Sequence, residues 1–183
     1  MARLVHLNGP PGIGKSTLSA LHIDRHPGTL NLDIDTLHRL VGGWQNEQTD
    51  NWPAVWSLAR AMAAAHLDGG HDVVLPQYSA TLDQIRGFEE LARRHGAGFR
   101  EIVLLDDRQP AIDRFHHRAA TTEDPWVRHH HELVERGGGP VVLGRMYDEL
   151  MAVVQLLPSA TVVPSVPGEP QKTYELLEEA LSR

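Results

Sequence analysis

Between the apolar run Leu4-Val5-His6-Leu7 and a stretch of helical spacing stands Gly9-Pro10-Pro11-Gly12-Ile13-Gly14-Lys15-Ser16, and this octapeptide constrains the chain more than any other segment. Its glycines let the backbone enter conformations closed to residues with a Cβ and approach a ligand closely. Such a loop between a strand and a helix turns successive N–H groups into one concavity at the positive end of the helix dipole, which is an anion site. The spacing is G-x-x-x-x-G-K-S, in which the lysine reaches the outer phosphates of a nucleoside triphosphate and the hydroxyl residue reaches a magnesium ion. Lys15 is one of only two lysines in the chain, the other being Lys172. Gly9, Gly12, Ile13, Gly14, Lys15, Ser16 and Thr17 are therefore expected to bind the triphosphate, with ATP and Mg2+ as cofactors.

Composition removes several other classes. The 183 residues include no cysteine, which excludes disulfides, thiolate metal sites and a cysteine nucleophile. The formal net charge of −7 disfavours a broad nucleic-acid footprint, so phosphate handling is concentrated in a few residues. No apolar run reaches about 18 residues, so no membrane span is expected. The first residues run straight into a strand pattern without a signal-peptide core, and a cytoplasmic location is expected.

Short apolar runs alternate with amphipathic stretches. Strands are predicted at Leu4–Leu7, Thr29–Asp33, Asp72–Leu75, Glu101–Leu105 and Ala160–Val163. Helices are predicted over Ser16–His26, Pro53–Leu67 and Val141–Leu157, from the capping box at Thr81 to about Gly96, from Pro110 onward, and over Gln171–Ser182. This alternation predicts one α/β domain over 1–183, with a five-stranded parallel sheet, helices on both faces and the ligand at the C-terminal ends of the strands. The polar, His- and Arg-rich stretch 114–139, ending in Gly137-Gly138-Gly139-Pro140, fits this pattern least and is read as a helical lid.

The second strand ends in Asn31-Leu32-Asp33-Ile34-Asp35. Residues i and i+2 of a strand share a face, so Asp33 and Asp35 are expected to project together toward the phosphate crevice. Phosphoryl transfer to a hydroxyl needs a carboxylate to orient the nucleophile and take its proton, and oxygen ligands for Mg2+. Asp35 is read as the base, and Asp33 with Ser16 as the metal ligands; the plainer alternative is that Asp35 caps the next helix and Asp33 is a solvated strand end. Arg114 and Arg118 stand at i, i+4 on one helix face, where like charges repel unless an anion lies between them. Both are read as lid arginines over the transferring group, with Arg128 farther along the lid, against the alternative of a solvated face. Gln77 and Tyr78 are candidates for substrate contact. The run His129-His130-His131 is read as solvated or lid-lining rather than as a metal site, and Trp52, Trp56 and Trp126 as packing residues that could also cover an acceptor. Asp106-Asp107, ending the fourth strand, would hold Mg2+ in a hydrolysing switch that has no acceptor.

The GxxxxGKS loop followed by a strand with an Asp pair resembles the small P-loop kinases, the group that includes shikimate kinase and gluconate kinase. Leu7-Asn8-Gly9 before the loop and Asp35-Thr36-Leu37 after strand two are especially similar to chloramphenicol phosphotransferase, and also resemble the kinase domain of polynucleotide kinase. The match covers roughly the first quarter of the chain; the rest agrees in element order. The resemblance implies a P-loop NTPase fold, Asp35 as the base that activates a hydroxyl, lid arginines, and adenine near Val163–Gly168. Pro76-Gln77-Tyr78 stands where shikimate kinase has a glycine-rich substrate loop, so shikimate is not the expected acceptor. The implied activity is an ATP-dependent kinase acting on a hydroxyl of a small molecule such as an antibiotic, sugar or nucleoside. A P-loop ATPase or switch and a polynucleotide 5′-hydroxyl kinase are the alternatives, the latter disfavoured by the acidic charge. No oligomeric state is implied.

Overall fold

A computed structural model describes residues 1–46 and 48–182. The strands are β1 (Arg3–Asn8), β2 (Leu30–Asn31), β3 (Val73–Leu75), β4 (Gly98–Leu105) and β5 (Thr161–Pro164). They form one parallel sheet in the order β2-β3-β1-β4-β5. The sequence alternation predicts this architecture because parallel neighbours need a crossover, and each crossover here is helical. β1 lies at the centre, with Leu4 opposite Val73 on one side and Phe99 on the other.

The helices are α1 (Lys15–Arg25), α2 (Ile34–Arg39), α3 (Trp52–Asp68), α4 (Leu82–Arg94), α5 (Arg108–Thr121), α6 (Pro125–Arg136), α7 (Pro140–Val154) and α8 (Pro170–Leu181). The period of two along β1 divides the core into two layers. Leu4 joins Leu75, Val55, Ala59 and Phe88 beneath α2, α3 and α4. Val5 and Leu7 join Ile102, Leu104, Leu18 and Tyr174 beneath α1, α5 and α8. The face of α3 is narrower than its pattern suggests: Val55, Ala59, Ala63 and Leu67 are buried, whereas Leu58 and Met62 remain 46% and 40% exposed. Among the described residues no helix is long and apolar enough to cross a membrane.

The second strand departs from expectation. It spans only Leu30–Asn31, pairing with Val73 and Val74, and Asp33 is already the N-cap of α2. Its carboxylate accepts hydrogen bonds from the N–H groups of Asp35 and Thr36 at 3.0 and 3.2 Å. Two N–H groups that lack helical partners thus find an acceptor in the side chain, and the local gain outweighs extending a strand already at the sheet edge. Asp33 and Asp35 are therefore not strand neighbours on one face. They are a cap and a first-turn residue of α2.

The stretch 114–139 is helical, formed by the end of α5, all of α6 and the Gly137–Gly139 turn. Asp124 caps α6 by accepting from Trp126 N at 2.9 Å, and Pro125 occupies the first turn, where a missing N–H costs nothing.

Candidate active site

At the C-terminal end of β1 the chain turns through the glycine loop into α1. Gly14 has φ 108° at the helix N-cap, a conformation that side-chain-bearing residues rarely adopt, although nothing lies within 4 Å of where its Cβ would be. Gly12 has φ 79°, and a Cβ there would meet the backbone N and Cα of Phe115 at 2.9 Å. The loop therefore lies directly beneath α5.

The Lys15 ammonium donates to the carbonyl oxygens of Gly9 and Pro10 at 2.8 and 3.0 Å. It is held over the loop, and burial lowers its pKa from 10.5 to about 8. Asp35 and Asp33 oppose that shift, whereas Arg118 adds to it, so these four charges share one neighbourhood. Asp33 is itself raised above the ordinary carboxylate range, first by burial and then by Asp35 beside it. Ser16 and Thr17 are exposed on the first turn of α1, where the helix leaves N–H groups unpaired.

The two lid arginines differ in their settings. Arg114 donates from Nη1 to Asp106 Oδ2 at 2.7 Å, while its Nε and Nη2 are buried without a partner. Buried donors of a charged group left unpaired are costly, and an anion in the adjoining cleft would satisfy them. That cleft, about 210 Å³, is lined by Gly12, Gly14, Thr17, Arg114, Ser165 and Gly168 among others. Ser165 Oγ donates to Ile13 O at 3.0 Å, which ties the loop after β5 to the glycine loop. Arg118 is exposed, makes no ion pair among the described residues, and lies close enough to act on Lys15. Arg128 is exposed on α6. Asp106, the metal ligand of the switch alternative, is engaged by Arg114.

On the other side of Asp35 the rings converge. His38 is buried, 4.3 Å from the Trp52 ring and 5.1 Å from Trp126 by ring centroids. Trp126 lies 4.2 Å from His130 and 5.3 Å from Trp44. Burial lowers the pKa of both His38 and His130, while the Asp35 charge opposes this in each. His130 is thus a lining group, whereas Trp56 packs on Phe88 in the core. Arg39 Nη1 donates to Asp124 at 3.2 Å, joining α2 to the cap of α6 across the same region. The Tyr78 hydroxyl donates to Met146 O at 2.9 Å, anchoring the loop after β3 to α7, and burial pushes its pKa up to about 12.

A polar network beneath the site has no counterpart among the sequence-based expectations. His6 Nδ1 and Glu101 Oε2 lie 2.6 Å apart, with side chains 1% and 2% exposed. Asn8 Nδ2 donates to Glu101 Oε1 and Ser79 O, while Asn8 Oδ1 accepts from the N–H groups of Gly9 and Ser79. The network fixes the first residue of the glycine loop to the loop after β3. Its signal in the sequence was a polar residue at alternate positions, His6 and Asn8, inside a central strand.

The lowered Lys15 pKa sets a pH dependence. Polyphosphate binding requires the ammonium form, so with a pKa of about 8 affinity for ATP is expected to fall about fivefold between pH 8 and 9, approaching tenfold per pH unit above that as one proton is lost. Stability moves the other way. The unfolded chain holds the proton up to 10.5, so the contribution of this group to stability rises with pH across the window from about 8 to 10.5. Nucleotide titrations between pH 7 and 9.5 test the first effect; an affinity flat across that range would contradict it.

A family model described as AAA domain matches residues 4–136. No curated protein matches the sequence. Among solved structures, the fold is similar to a chain in the structure of the Pnkp1/Rnl/Hen1 RNA repair complex, with TM-score 0.65 and 16% identity over 86% of this chain and 47% of that one. It is also similar to the Deinococcus radiodurans tunicamycin resistance protein, with TM-score 0.59 and 12% identity over 97% and 95% of the two chains. This chain thus spans about half the length of the first. At such identities these likenesses establish the fold.

Proposed function

The chain belongs to the AAA domain family and carries its P-loop kinase-like fold, and on that premise we propose that it is an ATP-dependent phosphotransferase moving the γ-phosphate to a hydroxyl of a small molecule. The observation that carries this reading is the position of Asp35, whose charge acts on Lys15 at the phosphate loop and on His38 and His130 in the aromatic cluster. A carboxylate between a phosphate cradle and an aromatic cluster is where an acceptor hydroxyl would be oriented and deprotonated.

The residues suit ATP and Mg2+. The unpartnered donors of Arg114 and the buried ammonium of Lys15 call for an anion, and the Ser16 hydroxyl with the Asp33 carboxylate offers the oxygen ligands that Mg2+ prefers. Bound MgATP supplies the phosphoryl group and neutralises charge on its oxygens. Lys15 and the loop amides would orient the phosphates, and Asp33, which caps α2, would also offer a carboxylate oxygen to the metal. Arg118 and the free arm of Arg114 meet the charge that develops on the transferring group, a task suited to a planar guanidinium. Asp35 accepts the proton of the acceptor hydroxyl.

An acceptor beside Asp35 would meet the aromatic cluster at its partly exposed members Trp44 and His130, which favours a compact molecule with a ring or apolar face; the net charge of −7 argues against a polynucleotide. Trp44→Ala is expected to raise the acceptor KM by about tenfold, the loss of roughly 1–1.5 kcal/mol of ring contact, and to leave the KM for ATP unchanged. An equal rise in both would count against Trp44 as an acceptor wall.

The direct test follows labelled γ-phosphate from ATP with Mg2+ over hydroxylated antibiotics, sugars, nucleosides and 5′-hydroxyl oligonucleotides. Label on one small-molecule class supports the proposal. Label on oligonucleotides alone would replace the acceptor class, and release of free phosphate indifferent to every acceptor would replace the reaction.

A further inference from the structure

Two groups of side chains among the described residues bring three metal-ligating atoms together: His22, His26 and Glu178, and His116, His131 and Glu135. In the first, hydrogen bonds already engage the central nitrogen. Buried His22 Nδ1 lies 3.2 Å from Glu178 Oε1 and 3.3 Å from the Tyr174 hydroxyl. The Arg25 guanidinium, 4.4 Å over the Tyr174 ring, adds positive charge nearby.

The second group lies in the lid. His131 and Glu135 stand at i, i+4 on α6 and so share a helix face, and His116 reaches them from α5. His116 Nδ1 lies 3.3 Å from His131 Nε2 and 3.3 Å from Glu135 Oε1, and His131 Nε2 lies 3.6 Å from the same oxygen. Four-coordinate zinc, with bonds of about 2.0–2.1 Å, requires donor atoms roughly 3.3–3.4 Å apart along each tetrahedral edge. Two of the three edges found here, at 3.3 Å, match that spacing, and the third, at 3.6 Å, needs only a small side-chain adjustment to close to it. Side-chain exposures of 30%, 28% and 45% leave the triad within reach of solvent, from which a fourth ligand could come. Two imidazoles and a carboxylate suit zinc and its first-row neighbours, in contrast to the all-oxygen set offered by Ser16 and Asp33.

We propose that His116, His131 and Glu135 form a site for a zinc-class divalent transition-metal ion that ties α5 to α6. In the sequence the run His129-His130-His131 reads as solvated or lid-lining rather than as a metal site. The site instead takes one histidine of that run and finds its partners a helical turn away and on another helix. Its place gives it a structural role. Phe115, next to His116, presses its backbone on Gly12 of the phosphate loop, and its ring stacks on His131 with centroids 5.8 Å apart. An ion here holds α6 against the helix that covers the phosphate loop and carries Arg114 and Arg118.

The test titrates the chelator-treated, desalted full chain with Zn2+ by calorimetry and with Co2+ by its visible ligand-field absorption. Wild type is expected to bind one equivalent of Zn2+ at this site and to gain thermal stability from it, and Co2+ is expected to show four-coordinate absorption. His131→Gln and Glu135→Gln, each checked for native circular dichroism, are expected to weaken binding at least tenfold and to lose the metal-dependent rise in Tm. His26→Gln is expected to change neither, because it touches only the other cluster. Equal binding by wild type and both lid variants means an adventitious ion only and overturns the proposal, as does loss of binding in His26→Gln alone or no binding by wild type. None of these readouts depends on phosphotransfer.

Discussion

Asp35→Asn is expected to lower the rate of phosphoryl transfer by a factor of about 10²–10⁴, the usual contribution of a positioned general base. At roughly 1.4 kcal/mol per tenfold, that is about 3–5.5 kcal/mol of transition-state stabilisation. The substitution is nearly isosteric, and the hydrogen bond that Asp35 gives to the helix cap comes from its backbone N–H, so α2 should persist. Nucleotide binding should persist as well, with one diagnostic change. Asp35 holds the Lys15 pKa up against burial, so removing its charge lets that pKa fall further. The alkaline loss of ATP affinity should then begin at lower pH in the variant than in wild type. Lost transfer together with that displaced binding curve places the carboxylate between base chemistry and the phosphate loop. A variant that transfers phosphate at the wild-type rate would remove Asp35 from the mechanism, whatever its effect on Lys15.

The two aspartates also show how much was legible in the sequence, and why. The glycine loop could be read because its chemistry is local: backbone conformation, a lysine and a hydroxyl all lie within eight positions. The parallel sheet followed from element alternation, and family and fold comparisons agree with it. Proximity of Asp33 and Asp35 to Lys15 was inferred from strand periodicity, yet it arises through a different local structure. A two-residue strand passes into a capped helix because an Asp side chain supplies hydrogen bonds that a sheet edge does not. Arg114 was expected to share an anion with Arg118, but Asp106, eight positions earlier and across the β4–α5 turn, takes one of its arms. The pairing of His116 with His131, and of His6 with Glu101, joins residues distant in sequence. Nothing in the spacing of one segment reports such a partner until the helices and strands are packed.

The His6–Glu101 pair yields the largest expected effect on stability. Glu101→Ala removes the acceptor facing His6 Nδ1 and one of the two acceptors of Asn8 Nδ2, in a place where side chains are 1–2% exposed and water does not replace it. Breaking a buried pair by deleting one partner costs about 3–5 kcal/mol, because the other is left unsatisfied in the interior. For a chain of this size each kcal/mol lowers Tm by roughly 2–4 °C, so a fall on the order of 10 °C is expected. Glu101→Gln keeps an oxygen for His6 Nδ1 but turns its amide nitrogen toward the donor Asn8 Nδ2, so it should cost less than Glu101→Ala without being neutral. The double variant His6→Phe/Glu101→Leu separates the penalty of an orphaned group from the net worth of the pair. Replacing both partners with apolar residues is often neutral or better, so it should recover most of the stability lost in Glu101→Ala. Function should not recover with it. His6 Nε2 also holds the carbonyl oxygen of Gln77, and Asn8, tied to Glu101, holds Gly9 N and Ser79. A stable double variant with weakened ATP binding would mean that this network is retained to set the phosphate loop against the loop after β3. A Glu101→Ala variant within 1 kcal/mol of wild type by thermal and denaturant unfolding would deny the network its stabilising role, and a double variant that binds ATP like wild type would deny it the other.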